Sequence, residues 1–293
     1  MSPVPDILCI GSVLWDIIGR SSSHMHVGSD VPGRISRLPG GVALNIAMAL
    51  KAYEMTPAVL TAIGRDEAGR ELLEACARLG VITSHAYLSD DLPTDQYMAV
   101  EGANGLVAAI ADAHSLEAAG DKILAPLLDG ALRGWDGLIA LDGNLTPELL
   151  AEIAASPAFA GADLRVAPAS PGKAERITPF LSHPATTLYV NLEEAGLILH
   201  TRFDDSAEAA RALAARGVRR ALVTAGGAPA SLASAGTCLT LRPPEVLVTR
   251  ITGAGDTFMA AHIAAEAAGQ DAQTALAAAL DAAATYISGE TYG

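Results

Sequence analysis

From residue 137 to residue 223 the chain alternates short apolar runs with longer amphipathic ones at nearly even intervals. The runs at 137–141, 164–167, 187–190 and 220–223 read as strands, and the segments 147–155, 173–181 and 207–216 between them read as helices. Parallel neighbours need a crossover long enough to hold a helix, and that crossover is right-handed. The alternation therefore dictates an α/β fold with a doubly wound, mostly parallel sheet covered by helices on both faces. Such sheets bind ligands beyond the carboxyl ends of their strands, so the loops that follow these runs are where chemistry is expected.

The rhythm begins earlier in the chain. Residues 7–12 form an apolar run ending on Gly11-Ser12, residues 58–63 form a second, and 71–79 an amphipathic helix closed by Gly80. Runs at 97–101 and 106–110 flank Gly102-Ala103-Asn104-Gly105, which is a hairpin signal. The stretch 19–38 is polar and reads as a loop-rich insertion, of a length that in a compact domain points to a functional lid or a mobile segment. Residues 260–284 are rich in Ala, the strongest helix former, and read as two packed helices split near Gly269-Gln270-Asp271. A chain of 293 residues is accommodated by one large domain.

Charge removes several functions. There are 33 acidic against 19 basic residues, a net charge of −14, with no patch of Lys or Arg, so no nucleic-acid partner is expected. No apolar run reaches the roughly 18 residues that cross a bilayer, so no membrane partner is expected either. The opening segment, Met1 to Asp6, has no basic flank of a signal peptide, and a cytoplasmic location is expected. Cys9, Cys76 and Cys238 are widely spaced and odd in number, and suggest neither a disulfide framework nor a zinc site.

Three places carry candidate chemistry. Asp16 interrupts an apolar segment, as a solvated strand-end residue or as an acceptor for ligand hydroxyls. Asn45 is a polar residue on an apolar helix entered through Gly40-Gly41, and its buried amide must find a partner in the backbone or in a ligand. In Thr252-Gly253-Ala254-Gly255-Asp256 a glycine-rich turn runs into a helix, with Thr252 as its candidate cap. Free N–H groups and the positive end of the helix dipole make such a turn an anion site. Asp256 would repel an anion there, so it is either a dipole-compensating carboxylate or a base that takes a proton from an attacking hydroxyl.

These segments together resemble the PfkB, or ribokinase-like, family of sugar and nucleoside kinases, over essentially the whole chain. The likeness rests on Gly40, Gly41 and Asn45, on Gly64, Asp66 and Gly69, on Asn191-Leu192-Glu193-Glu194, and on Gly253-Ala254-Gly255-Asp256. It implies one ribokinase-like domain over 1–293, with a small β-sheet lid from about 13–38 and 94–112. It implies that Gly253, Ala254 and Gly255 form an anion hole, with Asp256 as general base. Asp16, Gly40, Gly41, Asn45, Asp112 and Asn144 would hold the acceptor, Asn191, Thr224, Gly226 and Gly227 would contact ATP, and Glu194 would organise water around Mg²⁺. A small-molecule nucleoside or sugar is the implied substrate, and a homodimer through the lid the implied assembly.

Four blocks look like the pseudouridine-kinase branch of that family: Val31-Pro32-Gly33-Arg34-Ile35, Ala111-Asp112, Asp142-Gly143-Asn144-Leu145 and Arg250-Ile251-Thr252. They imply transfer to a nucleoside 5′-hydroxyl. The chain departs from that pattern at Leu44, where an Arg often stands, and at Ala167, where an acidic residue does. Pro229 replaces a family Gly, and Arg250 occupies the place of an Asp that binds a monovalent cation in ribokinases and fructokinases, so K⁺ activation is not implied. A free-sugar kinase and a non-catalytic binding regulator are the alternatives; the intact Asp256 speaks against the second. A base extending toward the lid is expected to meet Thr94, Gln96, Asn104 and His114.

Overall fold

The computed structural model describes residues 4–289 apart from 27, 29 and 251; Met1 to Pro3 and Ile251, touched by the readings above, lie outside the described residues. The chain begins with β1 (Ile7–Ile10), β2 (Leu14–Arg20) and β3 (Arg34–Gly40), and then α1 (Val42–Lys51). Next come β4 (Pro57–Leu60), β5 (Ala62–Gly64), α2 (Glu67–Arg78), β6 (Tyr87–Ser89), β7 (Gln96–Gly102), β8 (Gly105–Asp112) and two short helices, α3 (His114–Ala119) and α4 (Ala125–Leu128). The second half runs β9 (Leu138–Asp142), α5 (Pro147–Ala155), β10 (Asp163–Ala167), β11 (Thr186–Asn191), α6 (Leu192–Leu199), α7 (Ser206–Ala214) and β12 (Arg220–Ala225). It closes with β13 (Ala228–Ser234), β14 (Thr237–Leu241), α8 (Ala254–Ala267) and α9 (Ala272–Ser288).

The large sheet has the order β14-β13-β12-β11-β10-β9-β1-β4 and is parallel from β12 to β4. Alternation along β1 shows why that strand is apolar throughout. Leu8 and Ile10 enter one core cluster while Ile7 and Cys9 enter the other, on the opposite face. β13 and β14 are an antiparallel edge that the sequence reading lacks. The expected helix at 173–181 is also corrected, because Pro171–Ser182 winds as 3₁₀ turns. Pro179 inside it has no N–H to donate and disfavours an α-helical turn. α2 begins earlier than 71, where Asp66 caps it by accepting from Gly69 N–H at 2.7 Å.

A separate sheet, β3-β2-β7-β8, stands over the carboxyl ends of the large sheet's strands. Of the supposed loop at 19–38, residues 19–20 and 34–38 are strand, and the described residues of 21–33 between them are irregular. Trp15 of β2 ties this sheet to the body by donating to Ala68 O at 2.8 Å, and Arg37 of β3 lies 3.9 Å over the Trp15 ring while pairing with Glu71 of α2 at 2.5 Å.

α8 packs along one face of the large sheet. At its far end Glu266 accepts from Arg165 and Arg220, and the buried His262 meets the Tyr189 hydroxyl at 2.9 Å. These contacts fix the helix along its length and hence the position of its first turn.

Candidate active site

The carboxyl ends of β1, β9, β10, β11 and β12, the first turns of α1 and α8, and the inner face of the small sheet enclose a cavity of about 910 Å³. Asp16, Gly41, Asn45, Asn144, Asn191, Glu194, Thr224, Gly226 and Gly253 to Asp256 all line it. Gly40, Asp112 and Gly227 do not.

Gly40 still has a definable role. A Cβ there would sit 2.0 Å from Asp16 Oδ2, so only glycine lets the β3 backbone pass so close to that carboxylate. Asp112 is excluded by register. Trp15 pairs with Gln96 and Gln96 with Asp112, so these share the outer face, whereas Asp16, Tyr97 and Ala111 share the inner one. Asp112 bonds His114 at 2.8 Å on the surface. The same register corrects the expected base contacts. Thr94 is buried against Asp66, Asn104 bonds the backbone of Met25, and Gln96 and His114 are exposed away from the cavity. Tyr97, Glu101 and Leu106, which sequence reasoning missed, are the strand residues that face inward beside Asp16 and Ile18.

At the start of α8 the cap is Gly253 and not Thr252. Gly253 has φ 89°, a left-handed conformation that a side chain disfavours, and makes no side-chain cap bond. A Cβ on Gly255 would meet open space, so the turn presents bare backbone to the cavity. Tyr286 of α9 steadies the turn by donating to Thr252 O at 3.0 Å, and Arg250 stacks on that ring at 3.8 Å.

Asp256, two residues into the helix, does not cap it. Its Oδ2 accepts from Asn45 Nδ2 at 2.9 Å, which answers where the buried amide on α1 finds its partner. Burial pushes the Asp256 pKa up to about 7, with the nearby carboxylates of Asp142, Asp16 and Glu194 adding to the rise and Asn45 opposing it. Burial likewise raises Asp16 to about 6.

Asn191 and Glu194 form a reciprocal capping box at the start of α6: Glu194 N–H donates to Asn191 Oδ1 and Asn191 N–H to Glu194 Oε2, both at 2.8 Å. Burial, with Glu193 adding like charge, lifts Glu194 to about 7. The Asn-x-x-Glu spacing announces this box directly in the sequence.

Opposite lies a buried polar chain. Asp142 Oδ2 accepts from Ser12 N–H at 2.8 Å and from Ser12 Oγ at 2.6 Å, and Ser12 Oγ accepts from Val42 N–H at 2.9 Å. Asn144 Nδ2 donates to Ser12 Oγ and to Asp142, and Lys173 Nζ donates to Asn144 Oδ1 at 2.5 Å.

The strand order, the crossovers and a glycine-bounded helix start beside a carboxylate define the ribokinase-like class of α/β fold. Ribokinase from Thermotoga maritima superposes with a TM-score of 0.80 at 21% identity over 99% of this chain and 94% of that one. A carbohydrate kinase from Agrobacterium tumefaciens gives 0.79 at 24% identity, with 96% and 90% covered. Adenosine kinase from Schistosoma mansoni, in complex with 2-fluoroadenosine, gives 0.75 at 17%, with 97% and 95% covered. Residues 4–291 match the pfkB family carbohydrate kinase, and the chain belongs to that family of kinases. It is similar to the pseudouridine kinase of Escherichia coli K12, at 28% identity over 259 residues, 87% of this chain and 81% of that one. Among the described residues no helix is long and apolar enough to cross a membrane.

Proposed function

We propose that the protein transfers the γ-phosphoryl group of ATP to the 5′-hydroxyl of a nucleoside, pseudouridine being the acceptor the site suits best, to give pseudouridine 5′-phosphate. The observation that carries the reading is Asp256, a carboxylate of raised pKa held by Asn45 beside a bare helix start. A pKa near neutrality suits a general base, which must be ionised to accept a proton and basic enough to take it.

The acceptor's ribose lies against Asp16, Gly41 and Asn45, with the 5′-hydroxyl at Asp256. Asp16 accepts from the 2′- and 3′-hydroxyls. Asp256 removes the proton of the attacking hydroxyl, while the N–H groups at Gly253, Ala254 and Gly255 hold the oxygens of the transferring group. The nucleotide lies along Asn191, Thr224 and Gly226, where a Cβ on the glycine would meet open space and the backbone can be approached closely, and Gly227, which does not line the cavity, is equally uncrowded.

The site suits a hydrated Mg²⁺ better than a dehydrated metal. Among the described residues no group of three or more His, Cys, Asp or Glu could hold a metal ion, whereas magnesium characteristically keeps water and takes one or two carboxylates plus phosphate oxygens. Glu194 is the carboxylate placed for that, close enough to Asp256 for their charges to interact. When bound, the ion neutralises phosphate charge in a cavity lined by several carboxylates. A free-sugar acceptor is the second reading, since a pentose alone satisfies the Asp16 end.

The small sheet is the lid of this site, and its outer face also suits a homodimer. Ile35, Met98 and Ile110, exposed by 77%, 49% and 68%, share that face. A coupled assay with ATP and a panel of pseudouridine, uridine, cytidine, ribose and fructose tests the activity. Pseudouridine is expected to give a kcat/KM at least about tenfold above uridine and ribose, a difference of only about 1.4 kcal/mol in transition-state binding. Preference for ribose or fructose moves the protein to the second reading.

A further inference from the structure

Every cavity-lining residue of ionisable charge is an acid with one exception. Asp16, Glu101, Glu193, Glu194 and Asp256 line the space, and Lys173 is the sole Lys or Arg among them. Its position is not incidental. The ammonium is half-buried and donates to Asn144 Oδ1 at 2.5 Å, and Asn144 is held in turn by Asp142 and Ser12. Arg176 locks the same loop by donating to the carbonyls of Asn144 and Leu145, at 3.3 and 3.1 Å. A lysine has three N–H donors and Asn144 uses one, so two remain for a ligand.

The chain from Lys173 leads to the acceptor half of the cavity. Asn144 meets Ser12 Oγ, and that oxygen accepts from Val42 N–H, the residue after Gly41. Lys173 is thus wired to the wall where the ribose is proposed to lie. The helix start at Gly253 and the Asn191 to Gly226 edge, which serve the nucleotide phosphates, carry no bond to it among those found. With the hydroxyls taken by Asp16 and Asn45, the remaining part of a nucleoside is its base, and an ammonium recognises a carbonyl oxygen.

We propose that Lys173, oriented by Asn144, is the base-reading residue: it donates to a ring carbonyl of the nucleoside and selects bases that present an acceptor there. The assignment rests on the nucleoside-kinase reading above and deepens it. Pseudouridine and uridine both offer two carbonyls. Cytidine has an exocyclic amino group in place of one, and an amino group facing an ammonium leaves donors against donors. A site built to pair one polar group rejects the analogue that lacks it much more strongly than a site relying on shape.

The test is steady-state kinetics of Lys173→Met with pseudouridine and with cytidine, ATP saturating, supported by Lys173→Gln, which keeps polarity and removes charge, and by melting curves of both variants. In both variants KM for pseudouridine is expected to rise at least about tenfold with kcat within about threefold, while the preference for pseudouridine over cytidine falls by a similar factor. A fall in kcat with KM unchanged places the ammonium on the transferring group and overturns the assignment, as does an equal loss for both nucleosides or no change in either. Should Met unfold the protein, the Gln variant decides by the same criteria. A wild-type protein inert toward every nucleoside overturns this assignment together with the proposed function, whereas an active wild type with unaltered variants overturns the Lys173 role alone.

Discussion

Asn45 and Asp256 are 211 residues apart in the chain and joined by a hydrogen bond of 2.9 Å. One stands on the first helix and the other on the eighth, and the two helices pack together. The bond favours the ionised carboxylate against the burial that disfavours it.

Asp256→Asn is expected to lower kcat by about 10²- to 10⁴-fold while calorimetric substrate binding stays within a few-fold. Near-normal turnover would return Asp256 to the role of a plain helix-start carboxylate.

The same substitution is expected to stabilise the unliganded protein at pH 8. The folded pKa of about 7 lies above the ordinary 3.8, so the group's favourable contribution is complete below about pH 4 and disappears as pH rises through 7. Melting temperatures of wild type and variant should therefore coincide near pH 4 and diverge by pH 8, with the variant higher. A wild type that melts higher at pH 8 contradicts the raised pKa.

Removing the amide tests the pair by its pH dependence. Asn45→Ala deletes the donor that holds the Asp256 pKa down, so that pKa climbs further. A base works only when ionised, and the acid limb of the kcat profile is expected to move to higher pH. An unmoved limb with reduced kcat would confine Asn45 to substrate contact.

Asp16 and Gly40 should fail together. Asp16→Ala leaves ribose hydroxyls unpaired, at about 1–3 kcal/mol, and should weaken the acceptor far more than ATP in calorimetry. Gly40→Ala places a methyl group where the Asp16 carboxylate now lies and is expected to show the same imbalance. Equal losses for both ligands contradict the proposed role of Asp16.

Much of this was legible in the sequence, for identifiable reasons. Strands buried on both faces are built largely of apolar residues, which makes β1, β9, β10, β11 and β12 visible as short apolar runs. β13 and β14 escape because Ala, Ser and Thr dominate them and they pair antiparallel at the edge. The glycine-bounded helix start is a local pattern and was readable; the bond between Asn45 and Asp256 is not local and was not. Asp112 looked like a site residue beside Ala111, and only the pairing of β7 with β8 shows that it faces away. Lys173 gave no signal, since its reach to Asn144 depends on β10 lying next to β9.

The apolar outer face of the small sheet gives a prediction about assembly. Ile110→Glu is expected to convert a dimer to a monomer in light scattering without unfolding the body, because the side chain is 68% exposed. A wild type that is monomeric at all accessible concentrations excludes pairing through this face.

Asp16 rides on the small sheet, while Asp256 is anchored to the body through α8. On the proposed roles, the grip on the acceptor and the base that activates it belong to two parts of the protein, between which the chain crosses near residues 13, 41, 95 and 113 and which the Trp15–Ala68 and Arg37–Glu71 contacts also tie. An acceptor that touches both carboxylates acts as a gauge block, setting the spacing between the parts. Water is too short to do so. On those proposed roles the split construction acts as a fidelity device, and idle spending of the nucleotide on solvent is expected to be slow without any residue assigned to prevent it.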